Sequence, residues 1–299
     1  MAADVYHQGE RAARRRAGLG DQGEVSAGAV RAQIPEVAQR FLLQQPMLVL
    51  GAADDQERMW ATLLTGRPGF LRAENGGILT VESRPGPGDP LHDRLSRPAP
   101  VGMLAIEPAR HRRMRMNGRA VPTAHGIRVT LDQVYSNCSK YIQKREQKWV
   151  PTTAAQPKRT RALTGDQERW ITGADTFFIA TADRDGNADA SHRGGNPGFV
   201  QVMSPTLLRW PDYVGNAMFN TLGNLEIHPQ AGLLFCDWRT GAVLHLSGTA
   251  RTDWDPAHAA AVPGAQRLVE FTVTEVIEIL GASPLRWSEP VVSRFNPPA

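Results

Sequence analysis

The chain has 299 residues, 41% of them apolar and 21% charged, which suits a folded protein of about two domains and argues against disorder. No run of 18 apolar residues occurs, which excludes a helical membrane span. Two cysteines, Cys138 and Cys236, lack paired spacing. That argues against a disulfide framework or zinc site and makes a cytoplasmic location the expectation. The net charge of +4 hides an asymmetry: residues 1–150 hold 22 Lys and Arg against 15 Asp and Glu, and residues 151–299 hold 12 against 15. A basic half can mark a nucleic-acid face, but no basic run interleaved with aromatics accompanies it, so nucleic acid is not the expected partner.

In chain order, residues 1–30 are polar and Arg-rich (Arg11, Arg14, Arg15, Arg16) and read as a partly disordered segment. No apolar signal core follows them, so export is not expected. From there the chain repeats itself. At an offset of 129, residues 48–81 fall on 177–210 without a gap, with 8 of 34 positions identical. Gly66, Pro68, Gly69 and Phe70 fall on Gly195, Pro197, Gly198 and Phe199. At an offset of 130, Gly102 meets Gly232 and Gly118 meets Gly248. The reading is a first copy over 31–150, a linker over 151–164 rich in Pro, Thr, Lys and Arg, and a second copy over 165–299.

Within the second copy, 165–172 predicts a lead-in helix, and 177–182 is an apolar strand ended by Asp183-Arg184-Asp185-Gly186-Asn187, a turn cluster. Strands follow over 188–192, 199–202 and 207–210, then a short helix within 216–228, a hairpin over 232–238 and 243–251, and a β-branched strand over 267–280. The first copy ends on the equivalent strand, 127–135. Six strands with one short helix per copy predict a mainly β (α+β) protein of two tandem small barrels with short flanking helices.

Two segments carry candidate chemistry. Ala190-Ser191-His192-Arg193-Gly194-Gly195 offers a hydroxyl, a guanidinium fork and exposed amides, which suit a phosphate. A Gly-rich turn with Arg193 in water would use the same residues. Asn216, Phe219, Asn220, Thr221 and Asn224 lie about a helix start, where amides and the macrodipole favour an anion. Simple capping by Asn216 or Asn220 is the alternative. His111, Arg113 and Arg115 alternate on one strand face and read as a solvated or copy-facing surface. His192 beside Ser191 does not read as a base–nucleophile pair, because adjacent strand residues face opposite ways. His245 reads as a core or interface histidine. Neither a His-Glu-x-x-His nor a Gly-x-Gly-x-x-Gly motif is present.

These segments, with Gly232-Leu233-Leu234-Phe235-Cys236-Asp237-Trp238, resemble the FMN-binding split-barrel family named for pyridoxamine 5'-phosphate oxidase. Cys138-Ser139-Lys140-Tyr141-Ile142 resembles a Cys-Pro-Lys-Tyr-Ile signature of a bacterial subgroup with two barrels in tandem. The resemblance implies two paired split β-barrels with FMN in the groove between them. It also implies Ser191, Arg193, Asn220 and Thr221 on phosphate or ribityl groups, with His192 and Gly194 beside them. Trp210, Pro211 and Asp212 would lie near the ring system, and Lys140 and Tyr141 would reach in from copy one. The first copy has Thr62-Leu63-Leu64-Thr65-Gly66 in place of Ser191-His192-Arg193-Gly194-Gly195, so only one of two grooves need hold flavin. The paired basic residues and C-terminal substrate residues of true pyridoxamine phosphate oxidases are not recognisable, apart from a faint echo in Leu285-Arg286-Trp287.

The expected activity is therefore an FMN-dependent oxidation or reduction of a small molecule, with NAD(P)H or a reductase as electron donor. A flavin-binding module without turnover, a haem-binding barrel using His192 or His245, and a deazaflavin protein are the alternatives. Pairing is expected either as a homodimer or as a pseudo-dimer within the chain.

Overall fold

A computed structural model describes residues 6–19, 28, 30–136, 138–215 and 217–298. Its frame is two large antiparallel sheets. The first contains β1 (Met47–Ala53), β2 (Met59–Thr65), β3 (Leu71–Glu74), β4 (Ile78–Val81), β5 (Ala99–Glu107), β6 (Arg112–Pro122) and β7 (Ile127–Ser136). Their order is β2-β1-β5-β6-β7-β4-β3. After β8 (Gln147–Trp149) and β9 (Lys158–Thr160), the second sheet contains β10 (Thr176–Ala182), β11 (Ala188–Gly194), β12 (Gln201–Ser204), β13 (Leu207–Tyr213), β14 (Gln230–Cys236), β15 (Val243–Asp253) and β16 (Ala265–Ile279). Its order, β11-β10-β14-β15-β16-β13-β12, repeats the first strand for strand.

The register repeats as well. Val49 faces Leu104 in the first sheet, and Phe178 faces Leu234 in the second. Leu104 then faces Arg115, and Leu234 faces His245. Both long hairpins carry a bulge at the same place, Asn117/Gly118 and Ser247/Gly248. A Cβ at either glycine would collide with a carbonyl oxygen on the facing strand, Thr130 or Thr272, so the bulge requires glycine. The offsets of 129 and 130 read from the sequence are thus the offsets of the hydrogen-bonded ladders.

The apolar runs at β1 and β10 are buried along nearly their whole length because each strand has a core on both faces. Phe177 and Ile179 point into the second barrel with Trp210, Phe235 and Phe271. Phe178 and Ala180 point the other way, into one continuous core with Val49, Leu50 and Leu104 of the first copy. The two sheets therefore pack on each other within the chain. Their closest approaches are kept by small residues: Gly51 against Ala180, Gly102 against the Asp189 backbone, and Gly232 against the Trp60 backbone. Trp60 and Asp189 are themselves equivalent at the 129-residue offset, so the last two contacts are one contact seen twice about a pseudo-two-fold axis.

Helices fill the ends. α1 (Gln8–Arg16) and α2 (Glu36–Leu43) precede the first sheet, and α3 (Gly165–Gly173), α4 (Asn220–Ile227) and α5 (Pro256–Ala260) belong to the second half. The lead-in helix α3 starts at a reciprocal cap between Thr164 and Gln167, a pattern legible in sequence. Two segments hold ordered elements besides the repeated barrels. The described part of the N-terminal segment contains α1, whose Gly9, Glu10, Ala13 and Arg14 are buried. Inside the segment read as a linker, β9 pairs with β16, and Pro157 packs against Gly88. Among the described residues no helix is long and apolar enough to cross a membrane.

Candidate functional site

A cavity of about 330 Å³ opens where the two copies meet, within the range of small-molecule sites. β6 of the first copy supplies one wall, β11 and β13 of the second copy supply the facing walls, and the start of α4 closes one end. Strand alternation decides which side chains arrive. On β6, Arg113 and Arg115 share the face turned to the second copy, so a surface read as solvated or copy-facing is copy-facing and lines the cavity. His111 does not share it; it sits in the turn before β6 with φ +52°.

Four guanidinium groups line the cavity, those of Arg113, Arg115, Arg193 and Arg267. Arg115 is 7% exposed and spans the copies: its Nη1 donates to Asp189 at 2.9 and 3.2 Å, and its Nη2 donates to the Ser191 hydroxyl oxygen. Burial opposes its charge, yet Asp189 and Tyr135 hold its pKa above the ordinary value. Arg193 also donates to Ser191 through Nη1. Burial lowers its pKa, with Asp212 opposing. Among the described residues Arg113 has no carboxylate in hydrogen-bond contact. Its Nη1 lies 2.9 Å from His192 Nδ1, and its buried Nε has no hydrogen-bond partner. Burial first, then the charges of Arg115 and Arg193, pull its pKa down to about 9. Because an arginine keeps its proton in proteins, this is electrostatic stress that a bound anion would relieve.

His192 is neutral beside these cations: burial, then Arg113, Arg193 and Arg115, hold its pKa well below the usual histidine value. Its Nδ1 therefore accepts from Arg113, which places the ring proton on Nε2. Asp212 faces Arg193, and its Oδ2 lies 3.3 Å from Arg267, although burial still pushes its carboxyl upward.

The start of α4 adds donors. Phe219 occupies the N-cap position at φ +59° and supplies no side-chain cap. With Ala217 also at positive φ, two non-glycine residues hold a sparsely populated conformation beside the cavity, an arrangement that concentrates at ligand sites. Phe219 thus leaves the first-turn amides without an N-cap side chain, and the macrodipole favours an anion there. Thr221 is 4% exposed and lines the cavity, and its hydroxyl has no hydrogen-bond partner among the described residues. The capping alternative for Asn220 does not hold, since its amide bonds Tyr135 and Glu10 instead.

Of the residues singled out in sequence, His192, Arg193, Gly194, Pro211, Asp212, Phe219, Asn220, Thr221, Lys140 and Tyr141 all line this cavity. Tyr141 arrives from copy one at φ +65°, its hydroxyl donating to the Val214 carbonyl at 3.0 Å. A Cβ on Gly194 would strike its carbonyl oxygen, so Gly194 is what lets that segment approach. Ser191 lies behind the wall, fully buried, and orients Arg115 and Arg193. Trp210 is a correction: it points into the barrel core between Phe177 and Phe271, because Leu208 and Trp210 take the inward positions of β13. Asn224 also turns away and donates to the Thr181 hydroxyl. Asn216 lies outside the described residues. Sequence reasoning missed Arg113 and Arg115 as site residues, along with Ala17 and Leu19 after α1. Only the alternation at 111–115 hinted at the first two, and nothing local marked the others.

The equivalent groove on the other side of the pseudo-axis is nearly closed, at about 50 Å³. There Val243 and His245 replace Arg113 and Arg115, and Thr62 and Leu63 replace Ser191 and His192. His245 is fully buried, its Nδ1 2.9 Å from the Ala61 carbonyl, as expected of an interface histidine.

The fold and site define a duplicated, mainly β protein with a polar, cationic cavity between its copies. Within its second half, residues 163–279 match the family model described as pyridoxamine 5'-phosphate oxidase. Solved structures similar to the chain include a putative pyridoxamine 5'-phosphate oxidase from Lactobacillus delbrueckii, at 20% identity over 39% of this chain and 94% of that one, with a TM-score of 0.34. HupZ of Group A Streptococcus is similar at 12% identity, over 38% and 92%, with a TM-score of 0.32. An FAD binding protein from Mycobacterium smegmatis is similar at 16%, over 40% and 98%, with a TM-score of 0.28. No curated protein matches the chain.

Proposed function

We propose that the cavity binds one FMN per chain and that the protein is an FMN-dependent oxidoreductase acting on a small molecule. The observation that carries this reading is Arg113, a half-buried guanidinium with no carboxylate partner among the described residues, beside Arg193 and lining the same cavity as the unpartnered Thr221 hydroxyl. Such a set fits a phosphate: forked donors, a hydroxyl and helix-start amides line the one cavity.

In this reading Arg113, Arg193, Thr221 and the α4 amides hold the phosphate, with Ser191 fixing Arg193 from behind and His192 meeting Arg113. Pro211, Tyr213 and Tyr141 supply flat and apolar surface towards the cavity mouth. The Tyr141 and Tyr213 rings lie 5.2 Å apart, centroid to centroid. Bound FMN would supply the hydride and electron chemistry, while the protein orients the ring and excludes water. His192, held neutral with Nδ1 on Arg113, is not free to act as a base through that nitrogen.

The test is the visible absorption of the purified protein, with chromatographic identification of any released chromophore, followed by titration of the apo-protein with FMN. A yellow protein releasing FMN supports the reading. A colourless protein that fails to bind added FMN rejects it. A released deazaflavin or haem would keep the cavity as the site and replace the cofactor.

A further inference from the structure

We propose that α1 is a proton-controlled roof of the ligand cavity, docked while the Glu10 carboxyl carries a proton and loosened once that proton leaves. The roof itself needs no assumption about the ligand; only its effect on ligand release rests on the FMN reading.

The helix is seated with little tolerance. A Cβ at Gly9 would collide with the Gly223 carbonyl, and a Cβ at Gly223 would collide with Glu10. Two glycines therefore let α1 lie directly on α4, the helix whose first turn closes the cavity. The residues just beyond α1 complete the enclosure, since Ala17 and Leu19 line the cavity. Displacing α1 uncovers the site.

Glu10 sits at the centre of that contact, 2% exposed. A chain of hydrogen bonds runs from it into the site: Glu10 Oε1 to Asn220 Nδ2 at 2.6 Å, Asn220 Oδ1 to the Tyr135 hydroxyl at 3.0 Å, and that hydroxyl to Asp189 Oδ1 at 3.0 Å. Tyr135 has one proton and two acceptors in reach, and Asp189 also accepts from Arg115 at 2.9 and 3.2 Å. With the Asn220 amide turned, Nδ2 donates to Tyr135, Tyr135 donates to Asp189, and Asn220 Oδ1 accepts from a protonated Glu10. The network thus has a place for the protonated carboxyl without losing a hydrogen bond, and amide orientation is set by such networks.

The charges around Glu10 agree. Asp189 and Asp183 face it from the second copy and disfavour its ionised form, while Arg14 on its own helix and the His7 backbone N–H favour it. The His7 ring is held towards neutrality by burial, with Asp183 and Asp185 opposing and Arg11 assisting. Burial dominates and pushes the Glu10 carboxyl up to about 8 from 4.5. The docked helix therefore binds more protons than the undocked one between those values. Docking is strongest at and below the lower value, weakens by up to tenfold per pH unit as pH rises, and levels off above about 8.

The experiment is trypsin cleavage within Arg11–Arg16 in the full chain at pH 6 to 8, normalised to cleavage of an unstructured peptide. Cleavage reads the undocked fraction when reclosing is fast. In the wild type the normalised rate should rise several-fold to tenfold per unit, whereas Glu10→Gln should be slow at every pH. Gly9→Val, which cannot dock, should be cut fast at every pH. A flat wild-type profile, or the same slope in Glu10→Gln, overturns the proposal, as does slow cleavage of Gly9→Val. FMN release, measured alongside, should follow the same pH curve. Protein that shows the cleavage switch but never binds FMN sinks the flavin reading and leaves the roof standing. Protein that binds FMN with a flat cleavage profile does the reverse.

Discussion

Arg115 of the first copy and Asp189 of the second form a buried ion pair at 2.9 Å, and through it the two halves of the chain build one site. Both are nine-tenths buried, so neither can fall back on water if the other is removed. Asp189→Ala should destabilise the fold by about 3–5 kcal/mol, the usual cost of leaving one partner of a buried pair. Adding Arg115→Leu should recover much of that loss. Urea denaturation of the single and double variants checks both statements, and a single variant as stable as wild type would contradict them.

Arg113 differs from Arg115 in having His192, and no carboxylate among the described residues, in hydrogen-bond contact. Arg113→Ala should weaken FMN binding by about 1.5–3 kcal/mol, the range for a charge-assisted contact, or roughly ten- to a hundredfold. It should leave the apo-protein as stable as before or slightly more so. Arg193→Ala should weaken binding by a similar amount. Titration of each apo-variant decides; unchanged affinity would remove that arginine from the phosphate end.

Stoichiometry separates the two grooves. The closed groove presents Val243 and Leu63 where the open one presents Arg113 and His192. Binding should saturate at one FMN per chain, and Val243→Asp should leave FMN affinity unaltered. Calorimetry that returned two sites per chain would show that the second groove opens in solution.

His192 gives a pH signature. Its folded-state pKa is depressed, so the unfolded chain takes up a proton near 6.5 that the fold refuses. Stability should therefore be fully present above about pH 6.5 and fall as pH drops below it, by at most about 1.4 kcal/mol per unit. His192→Gln should flatten that slope. Denaturant midpoints at pH 5, 6 and 7 test it, and equal slopes in the two proteins would assign the effect elsewhere, His7 being the other histidine so lowered.

Sequence alone determined the duplication, the register and the local turns. Period-2 alternation, the Asp183–Asn187 turn and glycines forced by bulges are short-range requirements, so they leave their marks at fixed spacing. Gly118 and Gly248 could be aligned before any sheet was seen. It also found the Ser191–Gly194 and Asn220–Thr221 segments, whose residue types are unusual wherever they fold. Sequence could not say which face of a strand meets what. Trp210 and Pro211 are neighbours in sequence, yet one fills the barrel core and the other lines the cavity. Arg113 and Arg115 became site residues only when the first sheet packed against the second. The N-terminal helix was hidden for the same reason: its seat consists of Gly9 on Gly223 and Glu10 on Asn220, pairs more than 200 residues apart. Local chemistry is written in neighbouring residues, whereas a cavity between two sheets depends on burial and charge balance that exist only after the copies have closed on each other.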